Sequence, residues 1–102
     1  MSRESTKGNQ WTVEEQPFTI KYELLFSQNT CFEEYELWEY GIGCKLYDQQ
    51  KNMISEAKVD HISEDKSYVT KLIALLAHHK VFPLHLYDVV SDQLVSLMDY
   101  SY

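Results

Sequence analysis

Ten residues close to the C-terminus, "PLHLYDVVSD" (Pro83–Asp92), hold the densest set of chemically capable side chains in this 102-residue chain. His85, Asp88 and Asp92 stand at i, i+3 and i+7, and one imidazole with two carboxylates is an acceptable ligand set for Zn, Mn or Fe. A small metal-dependent enzyme using His85, Asp88 and Asp92 is therefore one reading. On a helical wheel, however, the three fall within roughly 80° of one another, opposite Leu86, Val90, Leu94 and Leu97. A site on one exposed helix face has no second element to close it. Asp88, close to the helix start, would instead favour the free N–H groups and the dipole, with His85 at the cap or in the first turn. The solvated face is the stronger reading, and no metal site is assigned.

The remaining histidines form no better constellation. His78 and His79 are adjacent and splay by about 100° on a helix, whereas a paired-His site wants i and i+4. His79 falls on the apolar arc near a helix C-terminus, where imidazole can bond terminal carbonyls. His61 has no acid or nucleophile at a telling spacing. The chain contains no G-x-S-x-G, H-E-x-x-H, P-loop or G-x-G-x-x-G pattern. No catalytic residue and no cofactor follow from it.

The most distinctive stretch is "FEEYELWEY" (Phe32–Tyr40), with four glutamates among four aromatics. Its plain reading is an amphipathic strand whose glutamates discourage edge-to-edge pairing. Its functional reading is a surface of carboxylates and rings, Glu34, Glu36, Trp38, Glu39 and Tyr40, that meets a basic protein partner. The net charge of −7 argues against nucleic acid and against an anionic membrane surface as partners. An acidic inhibitor that mimics nucleic acid is a further alternative, but it needs a larger excess on one face.

These residues must be positioned by a fold, and the chain's patterning predicts one. Hydrophobic residues make up 44%, enough for a real interior. Residues 1–16 read as a loose polar arm on which Trp11 and Val13 could dock, and residues 17–102 as a single domain. The arm lacks the apolar segment of a secretory signal, and the longest apolar run, "LIALLA", is far short of a bilayer span, so a cytoplasmic setting is expected. Cys31 and Cys44 alternate with apolar neighbours and read as buried free thiols.

Phe18, Ile20, Tyr22, Leu24 and Phe26 alternate with polar residues, which predicts a half-buried strand. "SQNT" (Ser27–Thr30) predicts a hairpin turn. In the next strand Tyr35 and Leu37 have one parity and Trp38, Tyr40, Ile42, Cys44 and Leu46 the other. A β-bulge near Leu37–Trp38 would bring both sets to one face. Gly41 and Gly43 predict a bend or a close backbone approach. "DQQKN" (Asp48–Asn52) is a second turn, and a third strand follows with Met53, Ala57 and Val59 inward. The period then changes to 3.6. Ser63, Glu64 and Asp65 open a helix with Tyr68, Val69, Leu72, Ile73, Leu75 and Leu76 on one arc. A second helix runs from about Leu84 to Met98, its arc of Leu86, Val90, Leu94 and Leu97 widened by Tyr87 and Met98. The fold class is α+β: a three-stranded antiparallel meander with two C-terminal helices packed on one face.

Tyr40-Gly41-Ile42 in a strand, the Ser-Glu-Asp helix start and Pro83-x-His85-Leu86-x-Asp88-Val89-Val90-x-Asp92 together resemble a family of small uncharacterised proteins from clostridia and related Firmicutes, a domain of unknown function. The likeness covers roughly residues 18–97 and leaves out the arm and the acidic strand. It implies a bacterial, cytosolic protein and brings no activity, cofactor or substrate. The residues themselves favour a small acidic binding or regulatory module acting through protein–protein contacts, with a homodimer through the aromatic-rich strands as one form of it.

Overall fold

The computed structural model describes the backbone of residues 3–7, 9–32 and 35–99 and the side chains of residues 9–27 and 38–93. Strands β1 (Arg3–Lys7), β2 (Gln10–Glu15), β3 (Phe18–Phe32), β4 (Tyr35–Tyr47) and β5 (Met53–Ser63) form one antiparallel sheet in the order of the chain. Helices α1 (Lys66–His78) and α2 (Pro83–Asp99) follow. The helices lie on one face: α1 crosses β2, β3 and β4, and α2 lies along β5 and β4. Among the described residues, no helix is long and apolar enough to cross a membrane.

The alternation that predicts strands also fills the core. Val13 on β2, Ile20, Tyr22 and Leu24 on β3, and Ile42, Cys44 and Leu46 on β4 all face the helices and are buried. From α1 they meet Val69, Leu72, Ile73, Leu76 and Ala77, and from α2 Leu86 and Val90. Asp65 caps α1, its carboxylate accepting from the Tyr68 N–H at 3.3 Å, while the Ser63 hydroxyl accepts from the Asp65 N–H at 3.0 Å. The carboxylate of Asp48 holds the β4–β5 turn by accepting from the N–H groups of Gln50 and Asn52, both at 2.9 Å.

At its C-terminus α1 ends in a Schellman arrangement. The Val81 N–H reaches the Leu76 carbonyl and the Lys80 N–H that of Ala77, both at 3.1 Å. Lys80 takes the left-handed position at φ 55°, where glycine is usual, and its ammonium pairs with Glu15 on β2 at 2.8 Å. Beneath this turn lies Tyr22, fully buried, whose hydroxyl is 2.6 Å from the Val81 carbonyl and 3.2 Å from that of Leu76. One phenol thus ties the centre of the sheet to the end of α1 and to the link into α2.

Several expectations need correction. The sheet has five strands; β2–β5 carry the described side chains, and β1 adds an outer strand. Residues 10–15, expected in a loose arm, form β2 in register from Gln10↔Glu23 to Glu15↔Phe18, because Val13 alternates inward and has a pocket under α1. "SQNT" does not turn: β3 runs on to Phe32, which pairs with Tyr35. Lacking Gly or Pro, that stretch continues the period-2 pattern instead of breaking it. The β3–β4 register runs unbroken from Thr19↔Tyr47 to Asn29↔Leu37, so no bulge separates Leu37 from Trp38; the extra residue falls on β3, between Asn29 and Phe32.

The larger irregularities are on β5. Pairing passes from Ile42↔Val59 to Tyr40↔Ser63, so Asp60, His61 and Ile62 together span the place of Gly41, with His61 left-handed at φ 56°. This presses β5 onto β4. A Cβ on Gly41 would collide with the Val59 carbonyl oxygen and lie 3.0 Å from Asp60 Cα, which is the close approach that the glycine predicts. A second shift, at Ile54, leaves Met53 exposed and not inward. Tyr87 is 68% exposed and outside the apolar arc of α2. His79 caps α1 but is itself exposed.

Tyr22→Phe is expected to keep the fold and lose about 1–3 kcal/mol in urea denaturation, because the Val81 carbonyl then keeps only the weak Cys44 thiol at 3.7 Å. An unchanged midpoint would remove the hydroxyl from its anchoring role. The hydrogen bond from Lys80 holds the Glu15 carboxyl below its ordinary value of 4.5. A lowered folded-state pKa adds stability that is present above the unfolded value and lost as pH falls through the folded one. The Tm difference between the wild type and Lys80→Gln should therefore be largest near neutral pH and shrink on acidification below about pH 4. A difference constant across that range would contradict the pairing.

Candidate functional site

Beyond Glu23 the sheet narrows. β2 pairs with β3 as far as Gln10↔Glu23, with one further bond from the Leu24 N–H to the Asn9 carbonyl at 2.9 Å. β5 pairs with β4 as far as Tyr40↔Ser63. Among the described residues, Leu25–Phe32 and Tyr35–Glu39 therefore have only each other as strand partners. At about 3.4 Å per residue this two-stranded ribbon extends by roughly 25 Å. The molecule is correspondingly long, 47 × 33 × 20 Å.

At the base of the ribbon, on the helix-bearing face, Leu24, Phe26, Trp38 and Tyr40 form the floor of a cleft of about 260 Å³, with Asn9 and Lys66 at its rim. The elements fix each member. Even-numbered residues from Phe18 to Phe26 on β3 and from Trp38 to Leu46 on β4 share the inner face, so Phe26 lies opposite Tyr40, one step from Trp38. Helix α1 starts at Lys66, level with the Tyr40↔Ser63 pair, and runs away from the ribbon. Phe26 is left 57% and Trp38 43% exposed, their rings 5.9 Å apart and inclined by 56°. Large rings held by a sheet and left open to water are suited to an apolar side chain from another molecule.

The opposite face at the ribbon base carries a polar pair. His61 Nδ1 lies 2.8 Å from a Glu39 carboxylate oxygen. Sequence spacing could not reveal this pair, because the contact joins residues 22 apart across the β5 bulge. Lower on this face a groove of about 380 Å³ opens over Gly43, bordered by Glu23, Leu25, Lys45, Glu56 and Lys58. Its charges are of both signs: Glu23 lies opposite Gly43, which pairs with Lys58, and Lys45 pairs with Glu56. That is a solvated antiparallel face, not the single-sign array that a phosphate mimic requires.

Of the residues singled out from the sequence, Trp38 and Tyr40 meet in the cleft, and Glu39 points to the other face. Phe26 and Leu24, read only as strand residues, complete the floor; Phe26 was legible as the last apolar member of its alternation. Glu34 lies outside the described residues, as do the side chains of Glu36 and Cys31. His85, Asp88 and Asp92 are all exposed on α2, with Leu86 and Val90 buried behind them. The helix starts at Pro83, so Asp88 is past the first turn and does not serve the N-terminal dipole. Among the described residues, no three His, Cys, Asp or Glu side chains gather as a metal site. Cys44 is a free, buried thiol whose pKa burial pushes up to about 12, which makes it a poor nucleophile.

The chain belongs to a family of unknown function, DUF6514, whose model matches residues 1–96. That match takes in the first two strands and the acidic ribbon as well as the motifs recognised in the sequence. No curated protein and no solved structure matches the chain.

Because Asp88 and Asp92 stand on a solvated face, the double variant Asp88→Ala/Asp92→Ala should unfold within about 0.5 kcal/mol of the wild type in urea. Leu86→Ala, on the same helix but buried, should cost about 2–5 kcal/mol. A double-variant loss comparable to that of Leu86→Ala would mean that the carboxylates do structural or ligand-holding work.

Proposed function

We propose that this member of the family is a protein-interaction module, and that the β3–β4 ribbon with the cleft at its base is its binding element. One observation carries the reading: Phe26 and Trp38 stand as an exposed ring pair on an extension that pairs with no third strand among the described residues. An isolated two-stranded hairpin is marginal in water, so a ribbon of this length gains by docking. Aromatic rings in an open cleft bring large contact area at little conformational cost.

Charge narrows the partner. Between Glu33 and Glu39 the chain has four glutamates and no basic residue. A fitting ligand is a protein segment with one apolar anchor for the cleft and basic side chains reaching along the ribbon. Such a complex associates faster at low salt, whereas its lifetime depends on the buried anchor.

Paired affinity capture from a lysate of the source organism tests this, with the wild type, Trp38→Ala/Phe26→Ala and Lys58→Ala as baits. The reading expects at least one protein that is retained by the wild type and Lys58→Ala and lost from the cleft variant, with on the order of 100-fold weaker binding on titration. Partners that bind the cleft variant as tightly as the wild type would place the interaction elsewhere.

A further inference from the structure

We propose that the open edge of β3 along the ribbon pairs with the same edge of a second copy, joining two chains in one continuous antiparallel sheet. The β2 side of Leu25–Phe32 has no strand partner among the described residues, since the β1–β2 hairpin reaches no further than the Asn9–Leu24 bond. That bond also sets polarity. The Leu24 N–H points to the β2 side, and backbone groups alternate along a strand, so Phe26 and Gln28 direct their N–H and C=O groups to the same open side.

The other free edges carry features that discourage strand addition. β5 has two register shifts and the charges of Glu56, Lys58 and Asp60. The ribbon part of β4 carries Glu36 and Glu39, and β1 carries Arg3, Glu4 and Lys7. The β3 stretch "LFSQNTCF" has no charge and no proline. It is the one free edge among the described strands with neither charge nor proline, and its single register shift, between Asn29 and Phe32, leaves Leu25–Asn29 in regular register.

A second copy is the occupant these features fit. Two-fold symmetry makes identical strands antiparallel, the sense in which this sheet is already built. Pairing centred near Gln28 brings no charged residue opposite its own copy. It also turns two marginal two-stranded ribbons into one four-stranded sheet, past the three strands at which such a structure supports itself. The acidic strand β4 lies one strand further out from the proposed seam. The pairing uses backbone groups at the edge and does not depend on the cleft having a ligand.

Sedimentation equilibrium over about 1–500 µM, together with near-UV circular dichroism, decides it. The wild type and Trp38→Ala should show the same reversible monomer–dimer equilibrium. Gln28→Pro, which removes an outward N–H and spares the β3–β4 ladder, and Gln28→Lys, which places like charges at the two-fold, should each weaken the dimer at least about tenfold. A wild type that stays monomeric at the highest concentration overturns the proposal, whatever the variants do. Dimers of undiminished strength in both folded variants overturn it as well. Loss of the dimer in Trp38→Ala alone would assign self-association to the cleft and not to the edge.

Discussion

The buried hydroxyl of Tyr22 is the contact on which the arrangement of this molecule rests. Its neighbours Ile20 and Leu24 anchor by area alone, which is non-directional and leaves helices free to slide. A phenol with zero exposure must find an acceptor, and here it finds the carbonyls at the end of α1 and in the link to α2. Helix position is thereby fixed to the register of β3. Lys80, left-handed and paired with Glu15, fixes the same turn from its β2 side. Two contacts of different kinds thus hold the helices over the body of the sheet.

The ribbon follows from where the neighbouring strands stop. β5 is diverted by its left-handed His61 and turns through Ser63 into the Asp65 cap of α1. It can lie that close only because Gly41 offers no side chain to the Val59 carbonyl. β2 ends at Asn9. What remains of β3 and β4 leaves the body with Phe26 and Trp38 on one side and the Glu39–His61 pair on the other. The binding proposals concern this extension for the same reason: it has lost the neighbours that make the rest of the sheet self-sufficient.

Much of the body was legible in the sequence. Alternation at Phe18–Phe26 and at Trp38–Leu46 gave the inner faces of β3 and β4, the Asp48–Asn52 turn gave the β4–β5 connection, and the 3.6 period after Asp65 gave α1 with its buried Val69, Leu72, Ile73 and Leu76. What was not legible depends on pairing partners. β2 has a single buried residue, Val13, too little pattern to separate a strand from an arm. "SQNT" has turn residues, but the aromatic-rich β4 opposite it continues the ladder. The larger bulges belong to β5, whose polar alternation does not mark them. Of the cleft, Trp38 and Tyr40 were foreseen from composition alone; Phe26 and Leu24 join them only through the β3–β4 register.

The central claim is that the ring floor of the cleft is open to solvent in the free protein, available to a ligand and not filled by the chain itself. Trp38 fluorescence in a Trp11→Phe background, below about 1 µM, measures this most directly, because Trp38 is then the lone indole. The account predicts a red-shifted emission that acrylamide quenches readily and that Tyr22→Phe leaves in place. A blue-shifted emission shielded from acrylamide would show the cleft already occupied from within, and would contradict it.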